Sequence, residues 1–176
     1  MMDRGKGYAS FPPVFPEGTR RKEMKIIDLL KPAAITADLK ATGKNEALAE
    51  LTDAILQVEN GLDRDEVINV LQERERLGST GIGEGVAIPH GKLRDLKHLV
   101  ISFGRSRTGV DFDSMDGRPA HLFFLLIAPE ESVGVHLKTL ARISKLLKNS
   151  AVRNRLLAAS SGDEIYAIIA EEEDQL

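Results

Sequence analysis

The sequence predicts an α/β sandwich: one domain in which a β-sheet is covered by helices on both faces. Three observations carry that expectation. The chain has 176 residues, a length for which one domain is the default and roughly 70% of the unfolded surface can be buried. Segments with a helical apolar period stand before and after the strand candidates. The strand candidate at 122–128, Leu-Phe-Phe-Leu-Leu-Ile-Ala, is apolar at every position, so both of its faces need helices over them.

Residues 1–23 contain Pro12, Pro13 and Pro16 together with Gly5, Gly7 and Gly18. They have neither apolar periodicity nor the apolar h-region of a signal peptide, and are expected to be a flexible extension to a domain at 24–176. Ile26, Ile27, Leu29 and Leu30 open the packed part, followed by a strand candidate at 34–39. At 45–60, Leu48, Leu51, Ile55 and Val58 fall on one helical face, and Gly61 stands where a helix commonly stops. Asp63 and Glu66 have capping-box spacing, and Val67, Val70, Leu71 and Leu77 form a second stripe ended by Gly78. The two helices should make a hairpin.

A glycine-rich stretch follows, with glycines at 78, 81, 83, 85 and 91 that let the backbone turn sharply and approach a ligand. Within it, 86–88 is a short strand candidate. Strands at 99–103 and 122–128 are separated by Gly109, Asp111, Asp113, Asp116, Gly117 and Pro119, the composition of a long connection or an irregular hairpin. Ser132 is a plausible N-cap for a helix at 133–148 with Leu137, Leu140, Ile143 and Leu147 inward. Ser150 and Asp163 are candidate caps for two shorter helices, and the acidic run at 171–174 reads as a solvated end.

Composition excludes several functions. There is no Cys, so disulfides, thiolate metal sites and Cys nucleophiles are ruled out, and any nucleophile is His or Ser. A net charge of −3, aromatic residues at 5% and no Trp leave neither a basic footprint nor stacking platforms for nucleic acid. No apolar run approaches the roughly 18 residues of a membrane span, so no direct membrane insertion is expected, and a reducing cytoplasm suits the composition.

Three residues break their own patterns. His136 shares the stripe of Leu140, Ile143 and Leu147, in a first turn whose free N–H groups and dipole attract anions; its bland reading is a core histidine satisfied by a carbonyl. Arg74 falls on the stripe of Val67, Val70 and Leu71, either as a structural ion pair or as a bidentate grip on phosphate or carboxylate. His90 follows a candidate strand, between Pro89 and Gly91, where α/β proteins tend to place ligand chemistry, although a loop histidine is often only a surface one. Together, with no HExxH, no GxGxxG and no Walker lysine in the sequence, they fit an imidazole nucleophile that receives a phosphoryl group. His98 and His121 read as structural or surface residues, and Glu84 as exposed or as an orienter of an imidazole.

The stretch from Arg74 through Gly78-Ser79-Thr80-Gly81-Ile82-Gly83-Glu84-Gly85-Val86-Ala87-Ile88-Pro89-His90-Gly91 resembles the signature of fructose/mannitol-type enzyme IIA domains of the bacterial phosphotransferase system. The resemblance extends through Gly109-Val110-Asp111-Phe112, Met115-Asp116-Gly117 and His136-Leu137-Lys138-Thr139-Leu140, and fits the nitrogen-regulatory type best. It implies a mixed sheet and a phosphohistidine carrier that needs neither cofactor nor metal. The phosphoryl group would come, ultimately from phosphoenolpyruvate, by way of an HPr-type phosphocarrier; an enzyme IIB or regulatory proteins are the possible onward partners. His90 would be the phosphorylated nucleophile, His136 the second histidine that steadies it or the phosphoryl oxygens, and Arg74 the charge partner. Ser79, Thr80 and Gly91 are expected to bind phosphate. With neither an enzyme IIB-like Cys nor a transporter segment in the sequence, the implied output is regulatory rather than metabolic. The competing readings are a regulatory module that acts only by protein–protein contacts and, more remotely, a metal-dependent hydrolase using His90 and His136.

Overall fold

The computed structural model describes residues 24–176; the expected extension at 1–23 lies outside the described residues. In chain order the elements are α1 (Ile26–Leu29), a 3-10 turn (Pro32–Ala34), β1 (Ile35–Thr36), α2 (Lys44–Leu56), α3 (Arg64–Arg76), β2 (Gly81–Gly83), β3 (Val86–Ala87), β4 (His90–Leu93), β5 (Val100–Val110), β6 (Ala120–Pro129), α4 (Val133–Lys148), α5 (Ser150–Ala158) and α6 (Gly162–Glu173). The strands form one mixed sheet in the order β1-β5-β6-β3-β2, with β4 also on β6.

β6 is the spine of the sheet. It pairs antiparallel with β5 on one side and, on the other, parallel first with β3 and then with β4. Because successive side chains of a strand point to opposite faces, Leu122, Phe124, Leu126 and Ala128 join a core closed by Ile143, Leu146, Leu147, Val152, Leu156 and Ile168. Phe123, Leu125 and Ile127 join the opposite core with Leu48, Leu51, Ile55, Val67 and Leu71. The uniformly apolar spine thus has α4–α6 over one face and α2–α3 over the other, the sandwich expected from its sequence.

β5 and β6 are longer than the apolar runs that announced them, and they make an irregular hairpin whose register shifts between Arg105 and Val110. The extra length includes Arg105, which is fully buried because its Nε donates to the Ala37 carbonyl and its Nη1 to the carbonyls of Leu156 and Ala159 at the end of α5. The 34–39 expectation shrinks to the two residues of β1, following the 3-10 turn, whereas β2 and β4 carried no readable strand signal.

The caps moved too. α2 ends at Leu56, ahead of Gly61, and Asp63 does cap α3 by accepting from the Glu66 amide. Ser132 occupies the N-cap of α4 without a side-chain cap bond; Asn149 and Ser161, not Ser150 and Asp163, cap α5 and α6. Leu77, beyond the last turn of α3, is 84% exposed, and Leu137 of α4 is 59% exposed. Neither lines the core. The acidic end is no solvated tail: Glu173 is 1% exposed and accepts from the amides of Ile26 and Ile27 and from Arg142 Nε at 2.5 Å. A carboxylate at the last turn of α6 therefore satisfies the otherwise orphaned first amides of α1.

Candidate active site

The site begins at a break in a strand. β3 and β4 lie in line along β6, interrupted at Ile88-Pro89, where the proline has no amide to give a ladder. The Pro89 carbonyl still accepts from Leu126 N at 3.0 Å, and Ile88 N turns away to donate to the Thr80 carbonyl at 3.0 Å. His90 then opens β4 rather than closing a strand, opposite Leu126, whose side chain belongs to the face covered by α4. The alternation that sends His90 to that face sends Gly91 to the other. There a Cβ on Gly91 would come within 2.5 Å of Val70 Cγ1, so α3 packs against bare backbone.

From the facing helix, His136 in the first turn of α4 brings its ring to 5.4 Å from that of His90, centroid to centroid, with the planes at 53°. His136 is 5% exposed, and its Nδ1 is buried without a hydrogen-bond partner among the described residues. Burial, the His90 ring and Lys92 hold its pKa down to about 4. His90 is also held below the ordinary histidine value. Burial is the main cause, the Ile88 carbonyl opposes it, Arg74 pushes further down and Glu75 pushes up.

His90 Nδ1 lies 2.8 Å from the Ile88 carbonyl oxygen. A carbonyl has no hydrogen to give, so Nδ1 carries the proton and donates it. In a neutral ring the lone pair is then on Nε2. That arrangement supplies a nucleophilic nitrogen, a second uncharged imidazole 5.4 Å away with one unsatisfied nitrogen, and a guanidinium near enough to act on the first ring's proton affinity.

Arg74 does not enter the core as its stripe suggested. It is half-buried, and its Nη1 donates to the Gly78 carbonyl at 2.9 Å, beyond the last turn of α3. The buried charge of this turn is Glu75, 8% exposed, which accepts from Thr80 N at 3.0 Å and from Thr80 Oγ1, and pairs with Lys44 Nζ at 3.1 Å. A helical wheel aims position 74 at the sheet. At the end of α3, however, the surface to be covered is the returning glycine loop, and that loop meets position 75.

The hydroxyls expected to hold phosphate are engaged in building this loop. Ser79 Oγ donates to the Phe112 carbonyl at 2.9 Å and accepts from Gly81 N at 3.0 Å, and Thr80 is bound to Glu75. Glu84 has left-handed backbone (φ 56°), is exposed, and lies 3.7 Å from Arg153; it orients no imidazole. Its amide donates to Asp116 of the β5–β6 connection at 3.0 Å, and Met115 N donates to the Gly81 carbonyl at 2.9 Å, so that connection seats the loop from outside. His98 pairs with Glu59 at 2.6 Å and His121 Nδ1 with the Ser106 carbonyl at 2.8 Å, both away from the ring pair. Among the described residues no three His, Cys, Asp or Glu come together as a metal-binding group, and no helix is long and apolar enough to cross a membrane.

Glu75 and Lys44 escaped the sequence reading. Glu75 follows Val67 and Leu71 at successive steps of four, a spacing that a search for charges on apolar stripes would flag.

The chain is similar to known proteins. A family model described as "Phosphoenolpyruvate-dependent sugar phosphotransferase system, EIIA 2" matches residues 28–172. A nitrogen regulatory protein of Bradyrhizobium diazoefficiens is 44% identical over 147 residues, 84% of this chain and 95% of that protein. The fructose-specific EIIABC component of Bacillus subtilis is 40% identical over 146 residues, 83% of this chain but 23% of that much longer protein. Among solved structures, the nitrogen regulatory protein IIA-Ntr of Neisseria meningitidis superposes with a TM-score of 0.77 at 36% identity, covering 82% of this chain and 98% of that one.

Proposed function

This chain belongs to the phosphoenolpyruvate-dependent sugar phosphotransferase system EIIA 2 family, and from that premise we propose that it is a phosphocarrier whose His90 takes a phosphoryl group from an HPr-type carrier protein and holds it as a regulatory signal. The observation that carries the reading is the His90 ring: Nδ1–H is committed to the Ile88 carbonyl at 2.8 Å, the ring is kept neutral by burial, and Nε2 is left with its lone pair beside His136.

The transfer balances without a metal. The bond from phosphorus to the carrier's imidazole nitrogen breaks as the bond from phosphorus to His90 Nε2 forms, and the electron pair of the broken bond returns to the carrier's ring. The proton stays on Nδ1, hydrogen-bonded to the Ile88 carbonyl, throughout. Phosphoryl transfer of this kind is a matter of positioning and charge stabilisation. Arg74 supplies positive charge, and the unpartnered Nδ1 of His136, when protonated in the neutral ring, gives a phosphoryl oxygen the hydrogen bond it lacks in the free protein. Satisfying a buried orphan of this type is worth about 1–3 kcal/mol, and it is gained only when phosphate is present. Ser79, Thr80 and Gly91 act on phosphate indirectly, the first two by shaping the loop and Gly91 by letting α3 approach β4.

A protein partner suits the surroundings. Leu77, Ile82 and Met115 along the loop and its connection, and Val133 and Leu137 on either side of His136 in sequence, are all exposed. Large apolar side chains exposed beside a reactive residue are what a docking carrier covers. A regulatory output is supported by the match to 95% of a nitrogen regulatory protein, whereas the fructose relative is an EIIABC component of which the chain matches 23%. An enzyme IIB would be the acceptor in the metabolic version of the same chemistry.

The test is transfer from phosphorylated HPr-type carrier to the isotope-labelled protein, read by 15N and 31P NMR. The expected product carries phosphorus on Nε2 of His90. A label on Nδ1 or on His136 overturns the assignment, and an unlabelled protein that still binds its targets with His90→Ala makes it a pure binding module.

A further inference from the structure

We propose that Lys92 and the uncapped first turn of α4 form, together with His136, an oxyanion subsite that holds the phosphoryl oxygens once His90 carries them. The proposal deepens the phosphocarrier reading and rests on it for its ligand, but the subsite itself is present in the protein at rest.

Strand register places Lys92. His90 and Lys92 stand two residues apart on β4, opposite Leu126 and Ala128 of β6, and both of those residues belong to the face covered by α4. The alternation of a strand therefore sends the Lys92 side chain to the same side as the His90 ring, about 7 Å further along β4. A four-carbon stem spans that distance. Lys92 is exposed, and its ammonium has no hydrogen bond or ion pair among the described residues.

The start of α4 comes to the same place. The chain leaves β6 at Pro129 and returns over this face as α4, so residues 133–135 lie toward the Lys92 end of β4 while His136 stands against His90. Ser132 occupies the N-cap with φ −99° and ψ 53°, outside the extended region from which a capping hydroxyl reaches the following amides, and its side chain makes no cap bond. The first helical bond of α4 runs from His136 N to the Ser132 carbonyl at 3.1 Å, and the amides of Val133, Gly134 and Val135 donate to nothing among the described residues. Glu130, two positions before the cap, lies 3.5 Å from Arg94 instead.

A third donor is aimed into this space. His136 is 5% exposed with its Nδ1 unpartnered among the described residues, its ring is 5.4 Å from that of His90, and Lys92 is near enough to lower its proton affinity. A lone ammonium, the positive end of a 16-residue helix and a buried imidazole are thus gathered on one side of His90. A cation is disfavoured at a helix N-terminus, and an anion there relieves the conflict. A phosphoryl group brings about −1.5 to −2 of charge and three acceptor oxygens. Arg74 comes from α3, in the opposite helix layer, so the subsite supplies the positive charge on the α4 side.

The experiment measures the phosphotransfer equilibrium between an HPr-type carrier and the full-length protein by 31P NMR, with amide spectra of the 15N-labelled protein recorded alongside. Lys92→Gln removes the cation, and Ser132→Asp sets a carboxylate at the mouth of the turn. Each is expected to move the equilibrium about tenfold toward the carrier, with Lys92→Arg restoring it. Ser132→Asp should also keep or raise the melting temperature, because a carboxylate at the N-terminus favours the helix; a merely structural first turn would show that gain with a wild-type equilibrium. In wild type the amide signals of residues 133–135 should move downfield on phosphorylation. A wild-type equilibrium in either variant, or amides that stay where they were, overturns the proposal. If wild type takes up no phosphoryl group, the phosphocarrier reading falls and a titration with inorganic phosphate decides: binding read at those amides and weakened about threefold or more in Lys92→Gln upholds the subsite, whereas no binding, or equal binding in both proteins, overturns it.

Discussion

His136 is the residue whose chemistry is most at odds with its surroundings, a buried imidazole whose Nδ1 has no hydrogen-bond partner among the described residues and whose pKa is held down to about 4. Its folded pKa lies below the unfolded value near 6.5, so the unfolded chain binds the extra proton first. The stability this contributes is present above pH 6.5 and is lost as the pH falls toward 4, by up to ~3 kcal/mol. Chemical denaturation of wild type between pH 7 and 4.5 should therefore lose more stability than His136→Gln does; equal losses would mean that His136 is not the group responsible. Arg74→Ala should slow phosphotransfer by about 10- to 100-fold with little change in melting temperature, because the guanidinium's contact is with the Gly78 carbonyl at the surface rather than with the core. Wild-type kinetics in that variant would remove Arg74 from the site. The burial of His136 was legible in the sequence because it shares an apolar stripe, whereas the stripe that singled out Arg74 does not carry it into the core. The Thr80–Ile88 hydrogen bond was not legible: it exists only where β2 and β3 fold back on each other, and no local spacing encodes it.

Among the elements, β4 is positioned by what it lacks. With Gly91 against Val70, an added methyl must displace α3 or the strand, and Gly91→Ala should cost about 1–3 kcal/mol of stability. Adding Val70→Ala to make room should recover most of it, and a denaturant melt of the two variants checks this. At the opposite corner, Glu173→Ala strips the Ile26 and Ile27 amides of their acceptor and is expected to cost about 3–5 kcal/mol. The helices were readable because an apolar period of 3.6 survives in the sequence. The short strands were not: Gly-Ile-Gly of β2 has one side chain to offer, and His-Gly-Lys-Leu of β4 has one buried apolar one. β5 runs past its apolar segment because Arg105 is buried with its guanidinium on the Ala37 carbonyl and on carbonyls at the end of α5, partners that no local pattern encodes. The acidic run at the C-terminal end misled for the same reason, since Glu173 answers amides nearly 150 positions earlier.

For the whole molecule, the two-sided sandwich followed from a single apolar strand, whereas the mixed character of the sheet was implied only by the family resemblance and its strand order appears first in the structure. Residues 1–23 carry no apolar periodicity and the family match begins at residue 28, so removing residues 1–23 should leave the melting temperature within about 2 °C of the full chain; a larger drop would mean that the segment packs on the domain. The central claim is that this chain carries a phosphoryl group on His90, and intact mass reads it most directly. Wild type and His90→Ala are incubated with phosphoenolpyruvate, enzyme I and an HPr-type carrier shown to be phosphorylated. The account predicts a gain of about 80 Da, one phosphoryl group, in wild type alone. No gain in wild type, or the same gain in His90→Ala, would contradict it.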